Sequence, residues 1–203
     1  STLYQMIEGG NPSIDNDLFY FFLRVTGLGG VLTFILTLGS SLHVLHLTES
    51  WLGFRSLAES NVMLQFVALA LSITFCNYWL HRALHSKYLW EIHKVHHSAE
   101  FFGVLLPYRG HPIDHFLANI YVAGMTGLFG IQPEVFIAWM AVNSVYQSMV
   151  HSNVDWPAWT EWIVVTPALH RIHHSTRPRH FNKNLSILTI WDKAFGTYLA
   201  PEP

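Results

Sequence analysis

Uncharged stretches recur along this chain at a length that matters for a bilayer. Val25 to Leu42 runs eighteen residues without a charge, and Asn61 to Leu80 forms a second such run. Phe116 to Pro133 and Val135 to Val150 add runs of eighteen and sixteen residues. A helix of about 20 apolar residues crosses the hydrocarbon layer. The pattern therefore predicts an all-α protein, a bundle of four transmembrane helices. Gly27, Gly29, Gly30 and Gly39 in the first run are costly in a soluble helix but tolerated in membrane helices. The second run flows without a break into His81, which predicts one long helix leaving the membrane with histidines at its end. The third and fourth meet at Gly130-Ile-Gln-Pro133, a tight hairpin. Two buried helices of a soluble core would read the same way singly, but four runs together favour the membrane.

Polar segments divide the chain into a lead-in at 1–17, membrane helices at 18–150 and a cap at 151–203, all one domain by length. Gly9 to Pro12 is a turn signal within a loose lead-in, and 43–60 reads as a polar connection. Pro107, Gly110 and Pro112 make 98–112 irregular. Trp156, Trp159 and Trp162 fall at helical spacing, as in an aromatic belt at a membrane surface. The first apolar run follows an acidic flank (Glu8, Asp15, Asp17), so no cleavable signal peptide is expected.

Charge adds direction. Only 12% of residues are charged, against about 25% in ordinary soluble domains. A net charge of -2 without a basic run gives no support for nucleic acid as a partner. Cys76 is the single cysteine, which excludes a disulfide framework and a thiolate metal site. Four crossings put nine of the eleven basic residues on one side, in 81–115 and 151–203, with Arg55 opposite and Arg24 at the start of the first run. The positive-inside rule makes that side cytoplasmic.

The same side carries the chemistry. Of fourteen histidines, five fall in HRALHSKYLWEIHKVHH, at His81, His85, His93, His96 and His97, and HRIHH adds His170, His173 and His174. Residues i and i+4 of a helix lie about 40° apart, so each box presents imidazoles on one face. Imidazole is a ligand for Zn, Cu, Fe and Ni. With His151, delivered to the same side by the fourth run, the set reaches nine, more than one ion uses, so two ions are expected. Carboxylate-bridged di-iron bundles use an ExxH motif that does not occur here. A nitrogen-rich iron pair is the natural reading, with zinc, copper and nickel allowed by ligand type. Glu91, Asp114, Asp155 and Asp192 are candidates to accept the outer ring N–H groups. Pro112 suits a first helical turn, which places His111 at a helix cap, as a possible extra ligand or outer partner, and His115 about one turn in. His43 and His46 fall on the far side of the bilayer, and His180 reads as exposed or substrate-facing.

HRALH, HKVHHS, HPID at His111, HSN at His151, HRIHHS and the closing NKN…WDKAFGTY together resemble the fatty acid hydroxylase/sterol desaturase superfamily over roughly residues 75 to 198. The resemblance implies four membrane helices, a cytosolic histidine-rich cap and two iron ions, which zinc can replace in purified protein. It implies O2-dependent hydroxylation or desaturation of an unactivated C–H in a lipid, sterol or other apolar molecule. The implied ligands are His81, His85, His93, His96, His97, His151, His170, His173 and His174. Some members carry a further histidine where this chain has Gln147, and NYGG where it has NLSI. No haem, flavin or iron–sulfur motif is visible, so electrons come from a separate carrier, a ferredoxin or a b-type cytochrome with its reductase. The implied location is a bacterial inner membrane or the endoplasmic reticulum. Two other classes use the same histidines: a zinc-dependent membrane hydrolase and a non-catalytic metal-binding protein.

Overall fold

The structure is a computed structural model that describes residues 11–36, 39–51 and 57–201. Arg55 and the Gly9–Gly10 part of the expected turn lie outside the described residues. Nine α-helices and short 3-10 turns make up the regular structure among the described residues. Residues 12–17, expected as loose lead-in, already belong to α1 (Pro12–Val25), opened by Pro12 and capped by the Asn11 carboxamide on the Ser13 N–H at 2.9 Å.

The first apolar run is not one helix. α1 ends at Val25, and Gly27 turns the chain at φ 74° into α2 (Leu28–Leu36). Gly39, at φ 66°, precedes α3 (Ser40–Trp51). Glycine enters this left-handed region without the Cβ penalty that other residues meet, so it ends helices where composition alone suggests continuity. The stretch expected as a polar connection is likewise helical through Trp51. α3 packs against α6 (Pro112–Phe129) at Gly124 and Gly127, where backbones approach closely. A Cβ on Gly127 would stand 2.1 Å from Thr48 Oγ1 and 2.8 Å from the Leu45 carbonyl oxygen.

The other three apolar runs are helical, as expected. α4 (Val62–Leu84) starts at an Asn61 cap, whose side chain accepts from the Leu64 N–H at 2.9 Å, and continues past His81 to a cap at His85. Among the described residues it is the one helix long and apolar enough to cross a membrane. α6 begins at Pro112 with His111 as its cap, and turns through left-handed Gly130 into α7 (Pro133–Val150). Leu69 and Ile73 of α4 bury against Ile131, Val135 and Trp139. Buried Gln65 clips that end: its amide donates to the Ser60 carbonyl at 3.0 Å, and its oxygen accepts from the Gln132 N–H at 2.9 Å.

α5 (Trp90–His97) follows α4 after a short turn, and 98–111 is irregular apart from a 3-10 turn, as expected. Beyond α7 lies the cap, with α8 (Pro167–His173) and α9 (Thr189–Ala194). Fully buried Asp192 organises it, accepting from the N–H groups of Leu185 (2.8 Å) and Ser186 (3.0 Å) and the hydroxyls of Thr197 (2.6 Å) and Ser186. Trp191 Nε1 donates to Thr74 Oγ1 at 3.0 Å and joins the cap to α4. Trp159 and Trp162 are exposed on a 3-10 turn, while Trp156 is half-buried, so the three tryptophans do not share one surface row.

Candidate metal centre

Two helix ends and two short helices converge on one place. α4 delivers His81 and His85, α5 delivers His93, His96 and His97, the end of α7 delivers His151, and α8 and its cap deliver His170, His173 and His174. α6 leaves from this end of the bundle and α7 returns to it, so the hairpin brings His151 back. The nine imidazoles sort into two groups. His81, His85, His93, His97 and His173 have ring nitrogens that all lie within 4.8 Å of one another, and so do His96, His151, His170 and His174.

The boxes do not each build one group. In HKVHH, the first and fifth positions join the five-histidine group and the fourth crosses to the other. In HRIHH, the first and fifth join the four-histidine group and the fourth crosses back. The groups touch through His97 and His174, stacked with ring centroids 4.3 Å apart.

The outer nitrogens are tethered. His81 Nδ1 donates to the Leu185 carbonyl at 2.6 Å, His96 Nδ1 to that of Arg109 at 3.1 Å, His151 Nδ1 to that of Gln147 at 2.7 Å and His173 Nδ1 to that of Lys183 at 3.0 Å. His93 Nδ1 faces Asp114 Oδ2 at 3.3 Å. A neutral imidazole with its proton on Nδ1 has a bare lone pair on Nε2. Those Nε2 atoms point at one another: His81 and His93 at 3.0 Å, and His96 and His151 at 3.3 Å. With both protons of each pair spent outward, no hydrogen bond joins these nitrogens, and a cation between them resolves the repulsion. The buried Nε2 atoms of His85, His97 and His173 have no hydrogen-bond partner either. The donor set thus fits metal ions bound through Nε2.

Electrostatics agrees. Burial, reinforced by neighbouring imidazoles, holds His96, His170, His173 and His174 well below the ordinary histidine range and lowers His97 as well. The same causes push His85 down to about 3, and burial pushes His151 to about 4. All seven are neutral at pH 7 and offer lone pairs.

Of the four acids expected around the centre, Asp114 alone contacts a box histidine. Glu91 pairs with Lys94 on an exposed turn, and Asp155, fully exposed, reaches Arg171 at 3.7 Å. Asp192 shapes the loop that offers the Leu185 carbonyl instead of touching a ring. His111 is in neither group; its Nδ1 accepts from the Ile113 N–H at 3.2 Å, a capping role. His115 is also outside, its Nε2 only 2.9 Å from where a Cβ on Gly110 would sit. His43 and His46 ride on α3 and take no part. Gln147 contributes its backbone carbonyl to His151. His180, expected as exposed or substrate-facing, is not exposed: the 3-10 turn Pro178–His180 buries it where it lines a cavity together with Ile172 and Leu199.

Other contributors carry no ligand signature. Trp90 packs on His85 and His97 with centroids 5.4 and 5.3 Å away, and Phe102 stacks on His151 at 5.4 Å. Lys183 sits between Asn182 and Asn184, both in the left-handed region (φ 57° and 52°), which aims its carbonyl at His173. Asparagine is among the few residues that enter this region readily. The NKN triplet was the visible sign.

Comparison with known proteins gives this arrangement a context. An alkylglycerol monooxygenase of Danio rerio is 38% identical over 128 residues, covering 62% of this chain and 28% of that protein. The Homo sapiens alkylglycerol monooxygenase is 33% identical over 133 residues, 64% of this chain and 29% of its own length. A Delta(7)-sterol 5(6)-desaturase of Gibberella zeae is 26% identical over 144 residues, 68% and 38% of the two chains. The matched part thus spans well under half of each relative. No solved structure matches the chain. The fatty acid hydroxylase family model matches residues 66–197, more than half of the chain and all nine clustered histidines. The chain belongs to the fatty acid hydroxylase family, within the fatty acid hydroxylase/sterol desaturase superfamily.

Proposed function

We propose that this protein is a membrane di-iron oxygenase that hydroxylates or desaturates an unactivated C–H of a lipid, sterol or other apolar substrate. The observation that carries the reading is the convergence of nine imidazoles in two adjoining groups, with the Nδ1 atoms of His81, His96, His151 and His173 tied back to carbonyls so that their Nε2 lone pairs are left for a metal. His81, His85, His93, His97 and His173 would hold one ion, and His96, His151, His170 and His174 the other. When bound, an iron pair supplies activation of O2 for hydrogen abstraction, with electrons from a separate ferredoxin or b-type cytochrome. The chain's own residues hold the ligands in one tautomer, and Trp90 and Phe102 shield the rings from water. The names of the relatives, monooxygenases of alkylglycerols and desaturases of sterols, support lipid oxidation. An alkylglycerol is the first substrate to test.

The membrane setting is part of the proposal. Only 28% of the most apolar window of α4 is buried, whereas a soluble core helix would be mostly covered. Large apolar side chains face outward along the bundle, including Phe22, Ile35, Met63, Val67, Ile137 and Val145, a surface far more apolar than solvent favours. α6 and α7, each of eighteen residues, extend about 27 Å at 1.5 Å per residue. They and α4 would cross the bilayer, with α2 and α3 as a broken fourth crossing. Residues 1–203 would form one such domain, its metal-binding cap on the cytoplasmic side of an inner or endoplasmic reticulum membrane.

Iron-loaded protein with a reductase system, O2 and an alkylglycerol or sterol tests the reading. Oxygen-dependent product is expected, and none from His96→Ala or His173→Ala. Turnover under strict anaerobiosis, or full activity in either variant, would contradict it.

A further inference from the structure

α1 lies outside the residues that match the family, yet one of its faces holds the segment that borders the centre. Ser13, Asp17 and Phe21 stand at i, i+4 and i+8, a single stripe of the helix. Asp17 Oδ1 accepts from Arg109 Nε at 2.7 Å, with the two residues only 6% and 4% exposed. The rest of the guanidinium is spoken for: one terminal nitrogen donates to the Ser13 carbonyl and to Ser13 Oγ (3.2 Å), the other to Ser98 Oγ at 3.3 Å. Ser13 Oγ also accepts from the Glu100 N–H at 3.2 Å, and Phe21 meets Tyr108 edge-on at 5.2 Å. α1 therefore grips the 98–109 segment near both ends. That segment carries Phe102, stacked on His151, and its last carbonyl, on Arg109, takes the His96 Nδ1–H. His96 is the one imidazole that HKVHH sends to the four-histidine group.

We infer that Asp17 and Arg109 are positioning residues for the four-histidine site. A planar guanidinium held by four acceptors fixes the backbone that carries it, and here that backbone sets the orientation of His96. The five-histidine site takes its outer partners from Leu185, Lys183 and Asp114, so the latch acts on one site only. The inference rests on the two-ion reading and deepens it.

Cobalt(II) titration of the full chain in detergent, read by stoichiometry and by the visible absorption of the bound ions, tests it. Wild type should hold two ions. Asp17→Asn should weaken one of them by about 10–100-fold, the scale on which outer-shell partners of metal ligands act, and Asp17→Glu should restore part of the loss. The weakened ion should be the one that His174→Ala removes, so the double variant Asp17→Asn/His174→Ala keeps the remaining ion at the affinity of His174→Ala alone. Asp15→Asn, exposed on the same helix, should change neither ion. Unchanged affinity at both sites, or equal loss at both, overturns the positioning role. A wild type that binds fewer than two ions instead defeats the two-ion reading, and this inference with it.

Discussion

The five-histidine and four-histidine groups are made from the same two boxes used in opposite senses. HKVHH gives its first and fifth positions to one group and its fourth to the other, and HRIHH does the reverse. On a helix the first and fifth positions share a face, whereas the fourth and fifth diverge by about 100°. Two such helices whose histidine rings meet therefore fill two adjacent sites, each taking two rings from one box and one from the other. What differs is the remainder. The first group adds His81 and His85, an i, i+4 pair on α4, while the second adds His151 alone, with Gln147 at the equivalent place on α7. A helical motif thus specifies two half-sites, and the difference in ligand number comes from the long helices.

This asymmetry can be broken first at the rings. His174→Ala leaves three imidazoles in its group, and His97→Ala leaves four. Both should abolish turnover, but His174→Ala should cost its ion more affinity, beyond the roughly 10–100-fold effect of losing an outer partner. Metal analysis after dialysis against a weak chelator checks the order.

Asp192→Ala comes next. It strips acceptors from the Leu185 and Ser186 N–H groups in a buried place, at about 1–3 kcal/mol for each group left without a partner. A lowered melting temperature is expected. Because the loop it shapes offers its Leu185 carbonyl to His81, the five-histidine ion should weaken and the other should not.

Asp114→Asn is a milder probe of the same site, removing the carboxylate that faces His93 Nδ1. A loss of roughly 10–100-fold in the affinity of the five-histidine ion alone is expected, measured by competition titration. The smallest effect belongs to Gln147→His, which would give α7 the i, i+4 pair that α4 has. It should tighten the four-histidine ion, without exceeding that same roughly 10–100-fold scale.

Much of this was legible in the residues. Uncharged runs located α4 and the α6–α7 hairpin, Pro112 marked a helix start, and the boxes together with the end of the fourth run picked out all nine clustered histidines, six of them as the i, i+4 pairs His81/His85, His93/His97 and His170/His174. The first run misled because Gly27 and Gly39 read as tolerated helix residues, yet their left-handed conformations break it. The division into five and four was hidden, since it depends on which helix lies beside which. The outer partners were hidden too, because Leu185, Lys183, Gln147 and Arg109 act through carbonyls that every residue type possesses. Counting acids nearby favoured Glu91, Asp155 and Asp192, whose charges go instead to Lys94, Arg171 and the loop backbone.

The most direct test of the two-group account is an experimental structure of metal-loaded protein with anomalous scattering at the metal edge. It should show one ion in each group, ligated by the Nε2 atoms of the named histidines at about 2.0–2.2 Å, with every tethered Nδ1 still on its carbonyl or on Asp114. A single ion, ligation through Nδ1, or an ion held mainly by carboxylates would contradict it.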